Sequence, residues 1–347
     1  MKYMDAALLK TPGELKIEKI PAPPCPSSGI LVEVKACGIC SSDVKMAKIG
    51  HPALIYPRIL GHEISGRVVE SKTPHFSEGD RVQIAPGLNC QRCSFCKKGI
   101  DNLCDHIGIF GFTHNGGFAK YLAVPLEGEI SASANIISEP VSFEEATLTE
   151  PLACCLNAQE RLGITSEDVV LILGAGPMGC LNAMLARIKG ARKVFLVEPL
   201  ERRELLAKFT KADLIVNPNR ENIYHLLKQE TLGFGIDVVI LASSEIKVEE
   251  DLLKLLTPRA RICLFSGLLP ENARSPFSLN LIHYKEICLL GAYGCTKLQN
   301  KEALSLISSG KIDLNWLITE RIPLKRIKEG IDYVAERRGM KAVITSF

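Results

Sequence analysis

The chain has 347 residues, 46% of them hydrophobic, with 42 basic against 39 acidic residues and a formal net charge of +3. That length exceeds one ordinary core and predicts about two domains. The balanced charge, without a long basic block, argues against a nucleic-acid groove or an anionic membrane surface and leaves a small solute as the expected partner. The opening MKYMDAALLKTPGELK has no uninterrupted apolar h-region, and no later stretch approaches the ~20 apolar residues that span a bilayer, so a soluble, cytoplasmic chain is expected. In such a chain thirteen cysteines read as metal ligands and buried thiols rather than a disulfide framework.

Up to about residue 140 the pattern is short β-rich runs such as 29–35 and 64–70, broken by Pro and Gly clusters. Within it, Cys37-Gly-Ile-Cys-Ser-Ser-Asp43 is followed by Gly61-His62-Glu63, and a further acidic group stands in Thr149-Glu150-Pro151. A thiolate, an imidazole and a carboxylate from these runs would leave one position open, as catalytic zinc requires. Each residue alone is as readily a packed thiol, a structural histidine or a helix start.

Between those segments, Cys90, Cys93, Cys96 and Cys104 form C-x2-C-x2-C-x7-C, a spacing that lets one short loop place four thiolates on one tetrahedral ion. Four sulfurs with no spare position predict a structural zinc site. The competing readings are an iron–sulfur cluster, from whose ferredoxin run the x7 gap and the absence of Pro after Cys104 depart, and unmetallated thiols. A zinc-ribbon nucleic-acid module is weaker still, because Lys97 and Lys98 read as an ordinary solvated pair.

After residue 155 the rhythm changes. Val169 to Leu173 reads as a strand, Met178, Leu181, Leu185 and Ile188 recur at helical spacing, and Val194 to Val197 is apolar again. Further apolar runs at 214–216, 236–241 and 261–265 predict a doubly wound parallel sheet, and the alternation stops around residue 290. Gly174-Ala-Gly-Pro-Met-Gly179 joins the first strand to the helix, where glycines can bring backbone N–H groups to a pyrophosphate. Glu198 ends the next strand, where a carboxylate can bind ribose hydroxyls and disfavour a 2′-phosphate. NAD is therefore expected, with NADP the alternative because Arg202 or Arg203 could pair with that phosphate.

The ordered set GICSSD, GHE, the four-cysteine lobe, GGFAKY, EPL and GAGPMG resembles the zinc-containing medium-chain alcohol dehydrogenase superfamily over essentially the whole chain. EPL at Glu150 is similar to the polyol (sorbitol, or L-iditol) dehydrogenase branch and its relatives, the threonine and galactitol-phosphate dehydrogenases. The resemblance implies an α/β architecture in two parts: a β-rich GroES-like catalytic domain over 1–149 and 291–347, with the zinc lobe at about 87–108, and a Rossmann domain over 150–290. It implies Cys40 rather than Cys37 as metal thiolate and His62 as imidazole ligand. Glu63 and Glu150 would supply carboxylates, one bound directly and the other directly or through water, with Cys154 and Cys155 as rival thiolates. Ser42 would lead the substrate proton away and Asp43 would orient the site. Gly174, Gly176, Pro177, Met178, Gly179, Glu198, Arg203, Ser266, Gly267 and Leu268 would contact the dinucleotide. A homo-tetramer or homo-dimer is implied in the same way.

The expected reaction is hydride transfer between a secondary alcohol of a polyol or sugar alcohol, phosphorylated or not, and NAD. Threonine and simple secondary alcohols are alternative substrates, and a non-catalytic NAD-binding zinc protein is the reading from another class. Sorbitol itself is doubtful. Sorbitol-type enzymes carry His-Tyr-Trp after the Ser-Asp-Val motif and an Arg-Tyr pair near the end of the nucleotide domain, whereas this chain has Lys45-Met46-Ala47 and Gly294-Cys295. Lys45 and Lys48 could receive a phosphate or carboxylate, or be two solvated lysines.

Overall fold

The computed structural model describes residues 2–126, 134–245, 250–267 and 278–347. They form two compact units, Met1–Ala153 with Cys295–Phe347, and Cys154–Gly294. The second boundary lies a few residues beyond the end of the sheet alternation. The Asn157 amide donates to the Tyr293 and Gly294 carbonyls at 3.3 and 2.9 Å, tying that stretch into the second unit.

In the first unit, a seven-stranded sheet runs in the order Ala134–Ile136, Arg81–Ile84, Glu63–Ser71, Gly29–Ile39, Lys341–Ser346 and Ile318–Pro323, with Tyr121–Pro125 also paired to Gly29–Ile39. The predicted runs at 29–35 and 64–70 lie inside longer strands. Gly29–Ile39 takes antiparallel partners on either side, matching Gly38 to Glu63 and Ile39 to Ala342. Alternate residues of that central strand, Ile30, Val32 and Val34, are buried in a core shared with Leu60, Phe118 and Ile331. Burying such side chains supplies about 1.5–3 kcal/mol each relative to exposure. The helices Lys297–Ser308 and Ile327–Ala335, for which sequence reading made no provision, also belong to this unit.

The second unit holds a six-stranded parallel sheet ordered Leu214–Val216, Lys193–Val197, Val169–Leu173, Ile236–Leu241, Leu256–Leu264, Cys288–Gly291. The order steps outward from Val169–Leu173 to one edge and then continues on its other side, the doubly wound arrangement with its switch point at that strand's carboxyl end. Continuous burial of Val169 to Ile172 and of Val238 to Leu241 explains why these strands read as unbroken apolar runs. Among the described residues no helix is long and apolar enough to cross a membrane.

Candidate active site

The cysteine lobe is closed at its base by the strand pair Gly87–Leu88 and Gly108–Ile109. Between them the helix Ser94–Lys97 and a 3-10 turn at Asp101–Leu103 fold the loop so that one sulfur from each of Cys90, Cys93, Cys96 and Cys104 lies within 4.8 Å of the others. Backbone N–H groups point at these sulfurs: Cys90 and His106 donate to Cys104 Sγ at 3.3 and 3.4 Å, and Cys96 donates to Cys93 Sγ at 3.5 Å. The Cys96 and Asp105 amides hold the Cys93 thiol down to about 6, whereas burial pushes Cys96 up to about 12. The donor set and its amide cradle fit a tetrahedral zinc ion.

A second group assembles where the central strand Gly29–Ile39 ends. Cys40 is the N-cap of the helix Ser41–Ile49, whose third residue, Asp43, is fully buried. One Asp43 carboxylate oxygen accepts from the Cys40 amide at 2.9 Å, and the other accepts from the Gly61 amide at 3.1 Å while standing 3.6 Å from His62 Nδ1. A single side chain thus ties together the two segments that carry Cys40 and His62. Gly61 makes the approach possible. Its φ is +90°, and a Cβ there would come within 2.6 Å of Phe118 and 2.9 Å of Cys37 Sγ.

Ligand atoms of Cys40, His62 and Glu63 lie within 4.8 Å of one another. Cys37 is outside this group: its side chain is fully buried and burial, followed by the charges of Asp43 and Glu63, pushes its thiol well up. Burial opposes an imidazolium at His62, but the charges of Asp43 and Cys40 outweigh it and hold the ring well above its usual range. Glu63 is raised chiefly by burial and also by the charge of Glu150, with Lys341 and His62 pulling the other way. One Glu63 oxygen is ion-paired with Lys341, itself buried, and the other, Oε2, is buried without a hydrogen-bond partner. His62 Nδ1 and Ser42 Oγ are likewise buried without one. Glu63 Oε2, a buried acceptor left unpartnered beside the Cys40 thiol and the His62 ring, is costly unless a cation or another donor satisfies it, so this donor set fits zinc. Glu150, in the first turn of the helix Thr149–Leu162, acts on Glu63 through its charge but is not one of the three residues drawn within 4.8 Å. Cys155 is buried and donates to the Met178 carbonyl at 3.7 Å, a packing role within the second unit. Beside this group, the Phe112 ring lies 5.5 Å from His62 and 5.7 Å from His51, an aromatic wall.

In the second unit the glycine-rich loop turns at Gly174, where φ is +99° and the amide donates to the Val197 carbonyl at 2.8 Å. Gly176 caps the helix Pro177–Ile188, and Pro177 starts it with no orphaned N–H. A Cβ at Gly179 would meet the Gly174 carbonyl at 1.8 Å, so the first turn of the helix packs against the loop only because Gly179 has no side chain. The buried Glu198 carboxylate accepts from the Ala175 and Leu200 amides at 2.8 and 3.0 Å, clipping the loop to the end of the next strand. Arg203 stands beside Gly176, 3.1 Å from where its Cβ would be. The Ser266 amide donates to the Leu241 carbonyl at 3.1 Å, and Gly267 follows as an exposed residue; Leu268 lies outside the described residues. Sequence reading missed Lys341, Gly38 and Phe112. Lys341 carried no local signal, whereas Gly38, inside the motif Cys37–Asp43, could have been flagged as a close approach.

Residues 26–132 match the alcohol dehydrogenase GroES-like domain family and residues 177–309 the zinc-binding dehydrogenase family. The chain is 30% identical to L-galactonate-5-dehydrogenase of Escherichia coli K12, over 99% of this chain and 100% of that protein. It is 31% identical to sorbitol dehydrogenase of Bombyx mori, over 98% and 97%. A zinc-binding dehydrogenase of Sinorhizobium meliloti 1021, solved with NADP bound, superposes with a TM-score of 0.91 at 28% identity, covering 99% of this chain and all of that one. Shared domains, whole-length relatives and a common architecture lead to one conclusion: the chain is an oxidoreductase belonging to the zinc-containing medium-chain alcohol and polyol dehydrogenase superfamily.

Proposed function

We propose that this protein is a zinc-dependent, NAD-linked dehydrogenase that interconverts a secondary alcohol group of a polyol and the corresponding ketone. The observation that carries the reading is the convergence of Cys40, His62 and Glu63 within 4.8 Å, with Glu63 Oε2 buried and unpartnered. Cys40, His62 and Glu63 would hold the catalytic zinc, with Glu150 acting on it through water. Cys90, Cys93, Cys96 and Cys104 would hold a structural one. When bound, zinc supplies a Lewis acid that makes a secondary alcohol acidic, and the dinucleotide supplies the hydride acceptor.

The chain's own part is to orient and to move a proton. The Ser42 hydroxyl, buried and without a partner, is free to accept the alcohol proton and pass it on. Asp43 keeps Cys40 and His62 in register through the amides it binds. Glu198 and the turn at Gly174 would present the ribose and pyrophosphate sites. The buried carboxylate at Glu198 supports NAD over NADP, since a 2′-phosphate would meet it. A homo-tetramer or homo-dimer goes with the same proposal.

An unphosphorylated substrate is favoured by the helix Ser41–Ile49, on which Lys45 and Lys48 are exposed while Asp43, Val44, Met46 and Ala47 are buried. Lys45 lies two residues from Asp43, about 200° round the helix from the side chain that orders the site. Zinc-loaded protein with a panel of polyols, sugar acids, polyol phosphates, L-threonine and simple secondary alcohols, followed by NAD and NADP reduction, tests the proposal. A chelator-sensitive signal with unphosphorylated polyols is expected. Preference for a phosphate ester, for threonine or for NADP would revise the substrate or cofactor, and binding of NAD without turnover on any substrate would sink the catalytic reading.

A further inference from the structure

We propose that Lys341 is a positioning residue of the catalytic metal site: its ammonium holds one oxygen of Glu63, so that Oε2 is presented as a single, fixed carboxylate ligand. This rests on Cys40, His62 and Glu63 being metal ligands, as proposed above. The argument is geometric. Strands Glu63–Ser71 and Lys341–Ser346 flank the central strand Gly29–Ile39 on opposite sides, with Glu63 opposite Gly38 and Ala342 opposite Ile39. Two strand spacings, roughly 10 Å, separate the outer backbones. A lysine reaching toward a glutamate across that span must pass over the middle strand. On that strand the residue opposite Glu63 is Gly38, where a Cβ would lie 1.9 Å from Glu63 Oε2. The glycine leaves the space that the Glu63 carboxylate occupies through Oε2, while the ammonium of Lys341 holds its other oxygen.

Both members of the pair are removed from solvent, with side chains 5% and 0% exposed. A buried ion pair is not a strong source of stability, because well-packed apolar residues of similar volume often do as well. Its specific effect here is directional. With one oxygen occupied by the ammonium, the carboxylate cannot swing or chelate through both oxygens. Groups that hold metal ligands in this way typically change metal affinity or activity 10–100-fold when removed.

The test compares wild type, K341M, K341R, H62A and the double variant E63Q/K341M as full-length, zinc-loaded chains. Zinc per chain is followed during chelator competition, and the cobalt-substituted forms are examined by visible absorption. We expect K341M to release zinc from the Cys40–His62–Glu63 group at least tenfold more readily, with an altered cobalt spectrum, while the four-thiolate lobe keeps its ion. K341R should restore most of the affinity, which a merely space-filling role would not predict. If K341M does not fold, the double variant, which removes both buried charges, carries the measurement, and weakened zinc binding is again expected. Wild-type affinity and an unchanged cobalt spectrum in K341M, or wild-type affinity in the double variant, would overturn the proposal. Should H62A lose zinc while K341M does not, Lys341 alone is ruled out. Should H62A keep all its zinc, the metal-site reading fails and the Lys341 proposal with it.

Discussion

The two cysteine-bearing groups of the first unit are built by opposite means. In the lobe, all four sulfurs come from fifteen consecutive residues, and the amides that point at them belong to the same loop. In the other group, Cys40 and the pair His62-Glu63 come from separate segments, Asp43 bridges them, and the carboxylate is held by Lys341, 278 residues away from Glu63. A local site needs only a short loop to close, whereas the distributed one exists only after the sheet has formed. The lobe should therefore behave as a folding element, and the distributed group as a dependent of the fold around it.

The largest effect that would sharpen this contrast is reciprocal. His62→Ala should lower kcat/KM by about 10³-fold or more, the loss of a Lewis acid worth several kcal/mol, and lower thermal stability less than loss of the lobe's ion does. Cys93→Ser should instead lower the melting temperature through loss of the lobe's ion. Equal loss of stability in both variants, read by thermal denaturation beside zinc analysis, would break the comparison.

A smaller effect is expected at Gly38→Ala. The added methyl would collide with Glu63 Oε2, and overpacking of this kind costs about 1–3 kcal/mol. Zinc should be lost from the distributed group and retained by the lobe, and a variant with wild-type stability and zinc content would show that the strand crossing is looser than described. The smallest effect concerns protons. With the Cys93 thiol held down to about 6 by the Cys96 and Asp105 amides, that sulfur is already ionised at neutral pH and surrenders no proton to an incoming ion. Below about pH 6 it must. The logarithm of lobe zinc affinity should then fall more steeply with decreasing pH, by one additional proton, as measured by competition titrations; a slope constant between pH 5 and 8 would count against it.

The same contrast governs what could be read before the fold was known. Strands in the second unit are buried on both faces, so they appear as apolar runs, and the glycines of the turn at Gly174 are needed by the backbone itself. The runs at 29–35 and 64–70 marked strands but not their pairing, because alternation indicates a face and not a neighbour. Lys341, followed by a run of apolar residues, looks like an ordinary strand lysine until the strand order brings it to Glu63.

From the sequence alone came the four-cysteine loop at Cys90–Cys104, the glycine-rich turn at Gly174, the parallel α/β half and the family, all of which rest on residues close together in the chain. The tertiary structure decided that Cys40 and not Cys37 groups with His62 and Glu63, that Asp43 ties two segments together, and that Glu63 faces Lys341. Those outcomes depend on strand order and register, which bring distant residues within a few ångströms and leave no trace in local spacing.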